Sequence, residues 1–353
     1  MLILGIETSC DETSVAILDG DGSVRANLIS SQIERHRPYG GVVPEIASRE
    51  HLEQMLPLTA AALSKAGVGL DQISMIAVTA GPGLIGSLLV GVAAAQGIAY
   101  GRGIGLAGIN HLEGHIFSPY LRKAGPAIPV PSRFLSLVVS GGHSSIYDVR
   151  CGSGQPQIVM KNRTRDDAAG EVFDKVAKFV GLQYPGGPEV EKCARGGSVD
   201  SRYDFAIPRF KDDSPDFSFS GLKANAIRAA RSQELDKSGD SRDLRLADFC
   251  ASFQSAICDQ LVDRLDRIWD SMKHEADRPA EVVLAGGVAA NTALRNRVTT
   301  FGQERDLIVR LPDREFCTDN GAMIAFAALQ NASMVTDPRR LTARSRMAVG
   351  LPG

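Results

Sequence analysis

His111 and His115 stand four apart in the segment Asn110-His111-Leu112-Glu113-Gly114-His115. On a helix that spacing puts both imidazoles on one face, where both can reach one divalent cation. The apolar stretch 104–109 precedes them and reads as a buried strand that delivers the pair inward. Two packing or capping histidines could share the same spacing, so the spacing alone leaves both readings open. A zinc peptidase uses H-E-x-x-H, with its general base directly after the first histidine. Here Glu113 is the third residue, ~200° around an ideal helix from His111. The glutamate is in the wrong place for peptidase chemistry.

A bound cation needs more ligands. Asp319, in Cys317-Thr318-Asp319-Asn320-Gly321, opens an apolar helix. It can serve as a ligand, or as an N-cap or first-turn acid favoured by the helix dipole. Cys317 is a softer rival. Elsewhere, glycine turns follow apolar runs: Gly81-Pro82-Gly83, Ser140-Gly141-Gly142-His143 and Gly286-Gly287. Backbone N–H groups at such turns can cradle phosphate, and they can equally be plain tight turns. The stretch Asp166-Asp167-Ala168-Ala169-Gly170-Glu171-Val172-Phe173-Asp174 holds more acids than helix capping needs, so ribose hydroxyls are plausible targets.

The elements that would position these groups follow a repeated plan. Short strands are expected at 2–6, 14–18 and 24–29, with the polar turn Glu7–Thr13 between the first two. A helix at about 44–66 opens at Pro44 and closes near Gly67. A strand at 73–79, a helix from about 84 and the strand at 104–109 complete the first set. The plan restarts with strands at 134–139, 144–149 and 157–161 and helices at about 169–180, 218–232 and 243–274. A strand at 282–285, a helix from about 290 and a last helix near Asp319 finish it. The fold class is therefore α/β, a duplicated domain with two lobes, mixed sheets and a central cleft. The expected lobes are 1–120 with about 325–353, and 121–324.

The totals agree. A chain of 353 residues exceeds what one core usually fills. A formal charge of −2 excludes bulk attraction to nucleic acid, so any RNA contact needs a local patch or a partner. The clearest patch is Arg339, Arg340, Arg344 and Arg346, which can also be a solvated tail. Six cysteines without a C-x-x-C pair suit reduced thiols and a cytoplasmic setting. No signal peptide is expected, and the apolar stretch at 84–100 reads as a buried helix rather than a membrane span.

In combination these segments resemble a known family. Glu7-Thr8-Ser9-Cys10-Asp11-Glu12-Thr13, the histidine segment, Ser140–Ser144, Asp166–Lys175, Tyr184–Pro188, Phe217-Ser218-Phe219-Ser220-Gly221-Leu222-Lys223, Ala285–Asn291 and Cys317–Ala322 occur in this order. Together they are similar to the tRNA N6-adenosine threonylcarbamoyltransferase family (TsaD type, formerly O-sialoglycoprotein endopeptidase), from residue 2 to about 330. The resemblance implies an actin-like, sugar-kinase-like ATPase fold. It implies transfer of threonylcarbamoyl from threonylcarbamoyl-AMP to N6 of adenosine 37 in tRNAs reading ANN codons, with AMP released. It implies metal ligands at His111, His115 and Asp319, for iron or zinc, with iron preferred. It places substrate contacts at Val138, Val139, Ser140, Gly141, Gly142, Asp174, Gly187, Glu191 and Asn291. Glu191 is longer than the residue common at that position. Implied partners are the tRNA anticodon loop, a small paralogous subunit and an ATPase.

The donor is a mixed anhydride with a good leaving group, so positioning and charge stabilisation should carry the rate. Glu12 or Asp11 is the candidate to take the N6 proton, though both could merely shape their loop. Cys10 has no evident base partner. The alternatives are a small-molecule kinase or ATPase of the same fold, which leaves the histidine pair unexplained, and a non-catalytic nucleotide-binding scaffold, which would not need the ligand set.

Overall fold

The computed structural model describes residues 1–152, 154–236, 242–331 and 335–350. The chain divides into two compact units: Met1–Ser132 with Val149–Val159 and Pro312–Gly353, and Arg133–Asp148 with Met160–Leu311.

The first unit begins as a meander of β1 (Leu2–Glu7), β2 (Glu12–Asp19) and β3 (Val24–Ser31). The short α1 (Ile33–His36) leads to α2 (Pro44–Ala66), which has Pro44 in its first turn and Gly67 as a left-handed C-cap. Then come β4 (Met75–Gly81), α3 (Ile85–Arg102), β5 (Gly105–Asn110) and α4 (His111–Phe117). β1 pairs antiparallel with β2 and parallel with β4, and β4 runs parallel to β5. Every residue of β4 is buried, as befits a parallel strand covered on both faces. Leu4, Ile6, Val15, Ile17, Ile76, Val78, Val92 and Leu106 form the core of this unit.

The second sheet begins with β6 (Arg133–Val139), β7 (Ser144–Arg150) and β8 (Gln157–Arg163). Its helices are α5 (Ala169–Phe179), α6 (Gly186–Ala194), α7 (Ser220–Ser232) and α8 (Arg242–Ser271). β9 (Glu281–Ala285), α9 (Thr292–Gln303) and β10 (Ile308–Arg310) complete it, with β9 parallel to both β6 and β10. α10 (Gly321–Gln330) and β11 (Val335–Thr336) return to the first unit, where β11 pairs antiparallel with β5.

The duplication is visible in strand order. The first sheet runs β11-β5-β4-β1-β2-β3 and the second β10-β9-β6-β7-β8. Apart from the added β11, both follow one scheme: fifth, fourth, first, second, third. These are two mixed α/β sheets on a common plan. α6 was not among the expected helices; its apolar face is short and it starts at Gly186-Gly187-Pro188.

Two expected boundaries move. The units change at 132/133 and 311/312, where the sequence suggested 120/121 and 324/325, and again around 149–159, which falls in the first unit. Asp319 therefore belongs with the histidines, in the first unit. The cause is α10, whose apolar residues from Gly321 to Ala328 are all buried and which packs on β1, β2 and α4. A Cβ on Gly5 would lie 2.1 Å from the Gly321 carbonyl oxygen, and one on Gly321 would lie 2.8 Å from the Gly5 oxygen. Both positions must be bare for helix and strand to approach so closely. Residues 332–334 and 351–353 of the expected C-terminal part lie outside the described residues.

Candidate metal centre and nucleotide site

α4 is one short helix, started by Asn110, whose side-chain oxygen accepts the Leu112 N–H at 2.9 Å. All seven of its residues are buried. Seven residues cannot sustain a helix in water, so its position comes from packing. His111 and His115 meet edge to face, with ring centroids 4.7 Å apart. Asp319 Oδ1 lies 3.0 Å from His115 Nε2 and 3.7 Å from His111 Nε2. One ligand atom from each of the three falls within 4.8 Å of the others. Ligands bound at ~2.1 Å to one ion sit roughly 3.0–3.4 Å apart for octahedral or tetrahedral angles; the Asp319–histidine distances of 3.0 and 3.7 Å are near that range, and the full set would have to draw together slightly around an ion.

Two further observations fit a cation. Both His115 ring nitrogens are buried; Nδ1 makes no hydrogen bond among the described residues, and Nε2 has only the Asp319 carboxylate, 3.0 Å away. Such groups are costly unless something else engages them. On the far side of His111, Nδ1 lies 3.2 Å from Glu7 Oε2 and 3.1 Å from Ser9 Oγ. That contact fixes the ring and leaves Nε2 facing Asp319, the usual backing of a metal-bound histidine. Glu7 is wholly buried and also accepts from the Ser9 N–H and the Thr79 hydroxyl, each at 2.5 Å.

The electrostatics are those of a carboxylate cluster. Burial pushes the Glu7 carboxyl up, but the charge and hydrogen bond of His111 outweigh it, so Glu7 ends below its ordinary range. Burial pushes His111 down, but Asp319 and then Glu7 raise it to about 9. Glu12 is raised well above the usual carboxylate range by burial, then by Asp11 and Asp319. The Cys10 thiol is pushed well up by burial and by the same two carboxylates, which opposes a thiolate nucleophile. Cys317 is turned away, its sulfur donating to the Asp313 carbonyl at 3.6 Å. Glu113 accepts the Gly350 N–H at 2.8 Å, and burial raises its carboxyl.

The other predicted residues gather in the second unit. Val138 and Val139 end β6, and Ser140–His143 turn into β7. A Cβ on Gly286 would meet the Val139 oxygen at 2.5 Å, and one on Gly170 the Ser140 oxygen at 2.6 Å. The starts of α5 and of the segment before α9 thus press on the same turn. Asp174 Oδ1 accepts the Gly186 N–H at 2.7 Å, and Glu191 Oε1 accepts the Thr292 N–H at 3.2 Å. Asn291 caps α9 through Leu294 N–H at 3.0 Å and donates to Gln254 Oε1 at 2.7 Å. Added Cβ atoms at Gly141, Gly142, Gly187 and Gly287 would meet nothing within 4 Å. Neither packing nor a left-handed backbone demands glycine there.

Several expectations change at the level of single atoms. The Ser140 N–H, expected to face a phosphate or carbonyl, donates to the His143 oxygen at 2.8 Å. That leaves the expectation on Gly141 and Gly142. Asp166 accepts the Phe219 N–H at 2.8 Å and the Ser218 hydroxyl at 2.6 Å, and Asp167 pairs with Lys175 and Lys223. These two acids hold the start of α7 rather than ribose. Gly83 N–H donates to the Ser345 carbonyl at 3.3 Å, so Gly81-Pro82-Gly83 is a packing turn.

A family profile described as tRNA N6-adenosine threonylcarbamoyltransferase matches residues 23–326. The chain belongs to that family. Among curated members, the threonylcarbamoyltransferase of Symbiobacterium thermophilum is 47% identical, covering 92% of this chain and 90% of its own length. That of Sorangium cellulosum is 43% identical, covering 99% and 97%. Among solved structures, HypF of T. kodakarensis superposes with a TM-score of 0.55 at 13% identity, over 93% of this chain and 47% of its own. Component A of the Acidaminococcus fermentans (R)-2-hydroxyglutaryl-CoA dehydratase gives 0.50 at 13%, over 94% and 99%. At such identity these two show the shared actin-like ATPase fold.

In this threonylcarbamoyltransferase-family chain the sequence reading passed over the roles of Glu7 and Ser9. A charged residue directly after an apolar strand, inside a polar turn, was the available signal. His51 was passed over as well: its Nε2 lies 2.9 Å from the Cys10 carbonyl oxygen and its Nδ1 2.7 Å from Thr13 Oγ1. It braces the turn that carries Asp11 and Glu12.

Proposed function

We propose that this chain transfers the threonylcarbamoyl group of threonylcarbamoyl-AMP to N6 of adenosine 37 in tRNAs reading ANN codons. N6 attacks the carbamoyl carbon, the bond to the phosphate oxygen breaks, AMP leaves and N6 loses a proton. The observation that carries this reading is a family match over residues 23–326 in a chain whose His111, His115 and Asp319 lie at ligand spacing. A small-molecule kinase of the same fold gives no use to those three residues.

His111, His115 and Asp319 would hold one divalent cation, Fe(II) in preference to Zn(II). Two imidazoles and one carboxylate suit either. When bound, the ion supplies Lewis acidity and orientation to donor oxygens. Glu7 and Ser9 fix the His111 ring. Glu12, aided by Asp11, takes the N6 proton: its raised affinity for protons makes its carboxylate the stronger base. In the second unit Gly141, Gly142 and Gly187 are bare where nothing in the fold needs them to be, which supports close approach of the adenylate to the backbone. Val138, Val139 and Ser140 shape that turn, and Asp174, Glu191 and Asn291 take nucleoside hydroxyls and edges.

The reading includes a cytoplasmic setting and two protein partners, a small paralogous subunit and an ATPase. No helix among the described residues is long and apolar enough to cross a membrane. Exposed Leu52 and Leu56 on α2, and Ile85 and Leu89 on α3, give a protein partner apolar surface to cover.

The test is reconstitution with accessory proteins, ATP, threonine, bicarbonate and unmodified tRNA, read as threonylcarbamoyladenosine in nuclease digests. Product is expected from the native chain and none from a folded His111→Ala variant. Full activity in His111→Ala/His115→Ala would refute the ligand assignment.

A further inference from the structure

We propose that residues 338–350 form a phosphodiester-binding strip, in which exposed Arg340, Arg344 and Arg346 hold the backbone of the tRNA substrate. The proposal rests on the transfer reaction above and names the RNA-binding surface that reaction needs.

This segment reads as a solvated tail in the sequence, yet it is tied along its length. Gln96 Nε2 donates to the carbonyls of Pro338 and Leu341 at 2.6 and 3.0 Å. The Arg344 N–H donates to the Ala80 carbonyl at 2.8 Å, and the Ser345 carbonyl accepts from Gly83. Asn110 Nδ2 donates to the carbonyls of Met347 and Ala348 at 3.4 and 3.1 Å, and the Gly350 N–H reaches Glu113. Leu341 and Met347 are buried in the core of the first unit. A Cβ on Gly81 would lie 2.1 Å from the Arg344 carbonyl oxygen, so that glycine exists to let the strap pass.

The backbone is therefore fixed while the arginine side chains stay in solvent. Arg25, Arg35 and Arg37, on the same unit, each pair with an acid, and Arg339 pairs with Asp337. Arg340, Arg344 and Arg346 join no ion pair among the described residues. Three guanidiniums without an ion pair thus lie within seven residues of chain, a span of roughly 20 Å at most. Guanidinium forks match phosphate oxygens, and a pre-ordered backbone lowers the entropy cost of using them. A chain of net charge −2 has no general attraction for a polyanion, so such a strip must supply it. The strap is also coupled to the proposed chemistry. Asn110 both caps the histidine helix and holds the strap, and Glu113 of that helix anchors its far end.

The test compares the full chain with an Arg340→Ala/Arg344→Ala/Arg346→Ala variant and with the matching triple lysine variant. tRNA binding is measured by anisotropy from about 50 to about 200 mM salt. The alanine variant should bind about tenfold or more weakly, and its log–log salt slope should fall by about 2–3, near one per lost phosphate contact. Metal content and melting temperature should match the native chain. The lysine variant keeps the charge and should keep most of the slope. Native affinity and slope in the alanine variant would overturn the proposal. So would an equal loss of slope in the lysine variant, or a loss confined to accessory-protein binding, which would make the strip a protein-docking surface. A native complex that modifies tRNA while the alanine variant binds normally sinks this proposal alone. A native complex that modifies no tRNA sinks the reaction and the strip with it.

Discussion

The two units place opposite chemistries at the same point of one plan. In the first, the turn from β1 to β2 is acidic: Glu7, Asp11 and Glu12 stand there, beside His111 and Asp319. In the second, the turn from β6 to β7 is Ser140-Gly141-Gly142-His143, without an acid. The first turn is filled by acidic side chains; the second closes on itself through Ser140 and His143, leaves Gly141 and Gly142 without side chains, and is backed by tightly packed Gly170 and Gly286. Crowded carboxylates are stabilised by a cation, and unscreened N–H groups suit an anion or a carbonyl. On the proposed reading, the duplicated scaffold would fix where ligands bind and the hairpin turn would decide their sign.

The largest test removes the first chemistry and spares the second. His115→Ala should abolish metal retention and transfer, while AMP binding, followed calorimetrically, should stay near native. Parallel loss of both would mean the units do not divide the work in this way. Glu7→Gln is the milder version. Weakening the support behind His111 should cost about 10–100-fold in metal affinity, measured by competition with a chelating dye. An affinity unchanged by this substitution would reduce Glu7 to packing.

The second comparison is between glycines. Gly286→Ala forces a side chain into a left-handed backbone, φ +87°, against the Val139 oxygen. It should lower stability by roughly 2–4 kcal/mol in denaturant titration. Gly142→Ala should leave stability within about 0.5 kcal/mol and raise the KM for the donor. If Gly142→Ala unfolds the chain while AMP binding per folded molecule is native, the bare turn serves the fold and not a ligand.

The smallest effect concerns pH in the metal-free protein. His111 binds its proton more tightly folded than unfolded, about 9 against 6.5. Its contribution to stability is then fully present below about 6.5 and is lost as pH rises toward 9. The melting temperature should fall by a few degrees across that window. Added divalent cation should cancel the fall, because it binds the unprotonated ring better as pH rises. A melting temperature flat from 6.5 to 9 without metal would remove His111 from the charge network.

Much of this was legible in the residues. The i, i+4 histidines, the polar turn after the first strand and the repeated order of strands and helices are all periodic or local signals. Hydrogen-bond accounting was not. Asp166 and Asp167 look like ribose ligands until Ser218, Phe219, Lys175 and Lys223 are seen on them, and those partners lie up to 56 residues away. Ser140 looks like an oxyanion donor until its N–H is found on His143. Asp319 was assigned to the wrong half because its helix has no polar face to reveal what it packs on. The arginine segment shows no amphipathic period, so only its anchors distinguish a strap from a tail.

The contact between Gly5 and Gly321 bears on the proposed cation site. β1 lies inside the first sheet, and α10 sits on it with only the Ala325 methyl and bare backbone at Gly5, so the start of that helix is tightly held. Asp319, two residues earlier, is held to a fixed distance from the histidines. In the proposed site, a helix start held this way would give an entering cation little freedom to pull Asp319 toward or away from the histidines. Two missing methyl groups in the core would thus make the proposed site less adjustable to whatever cation it holds.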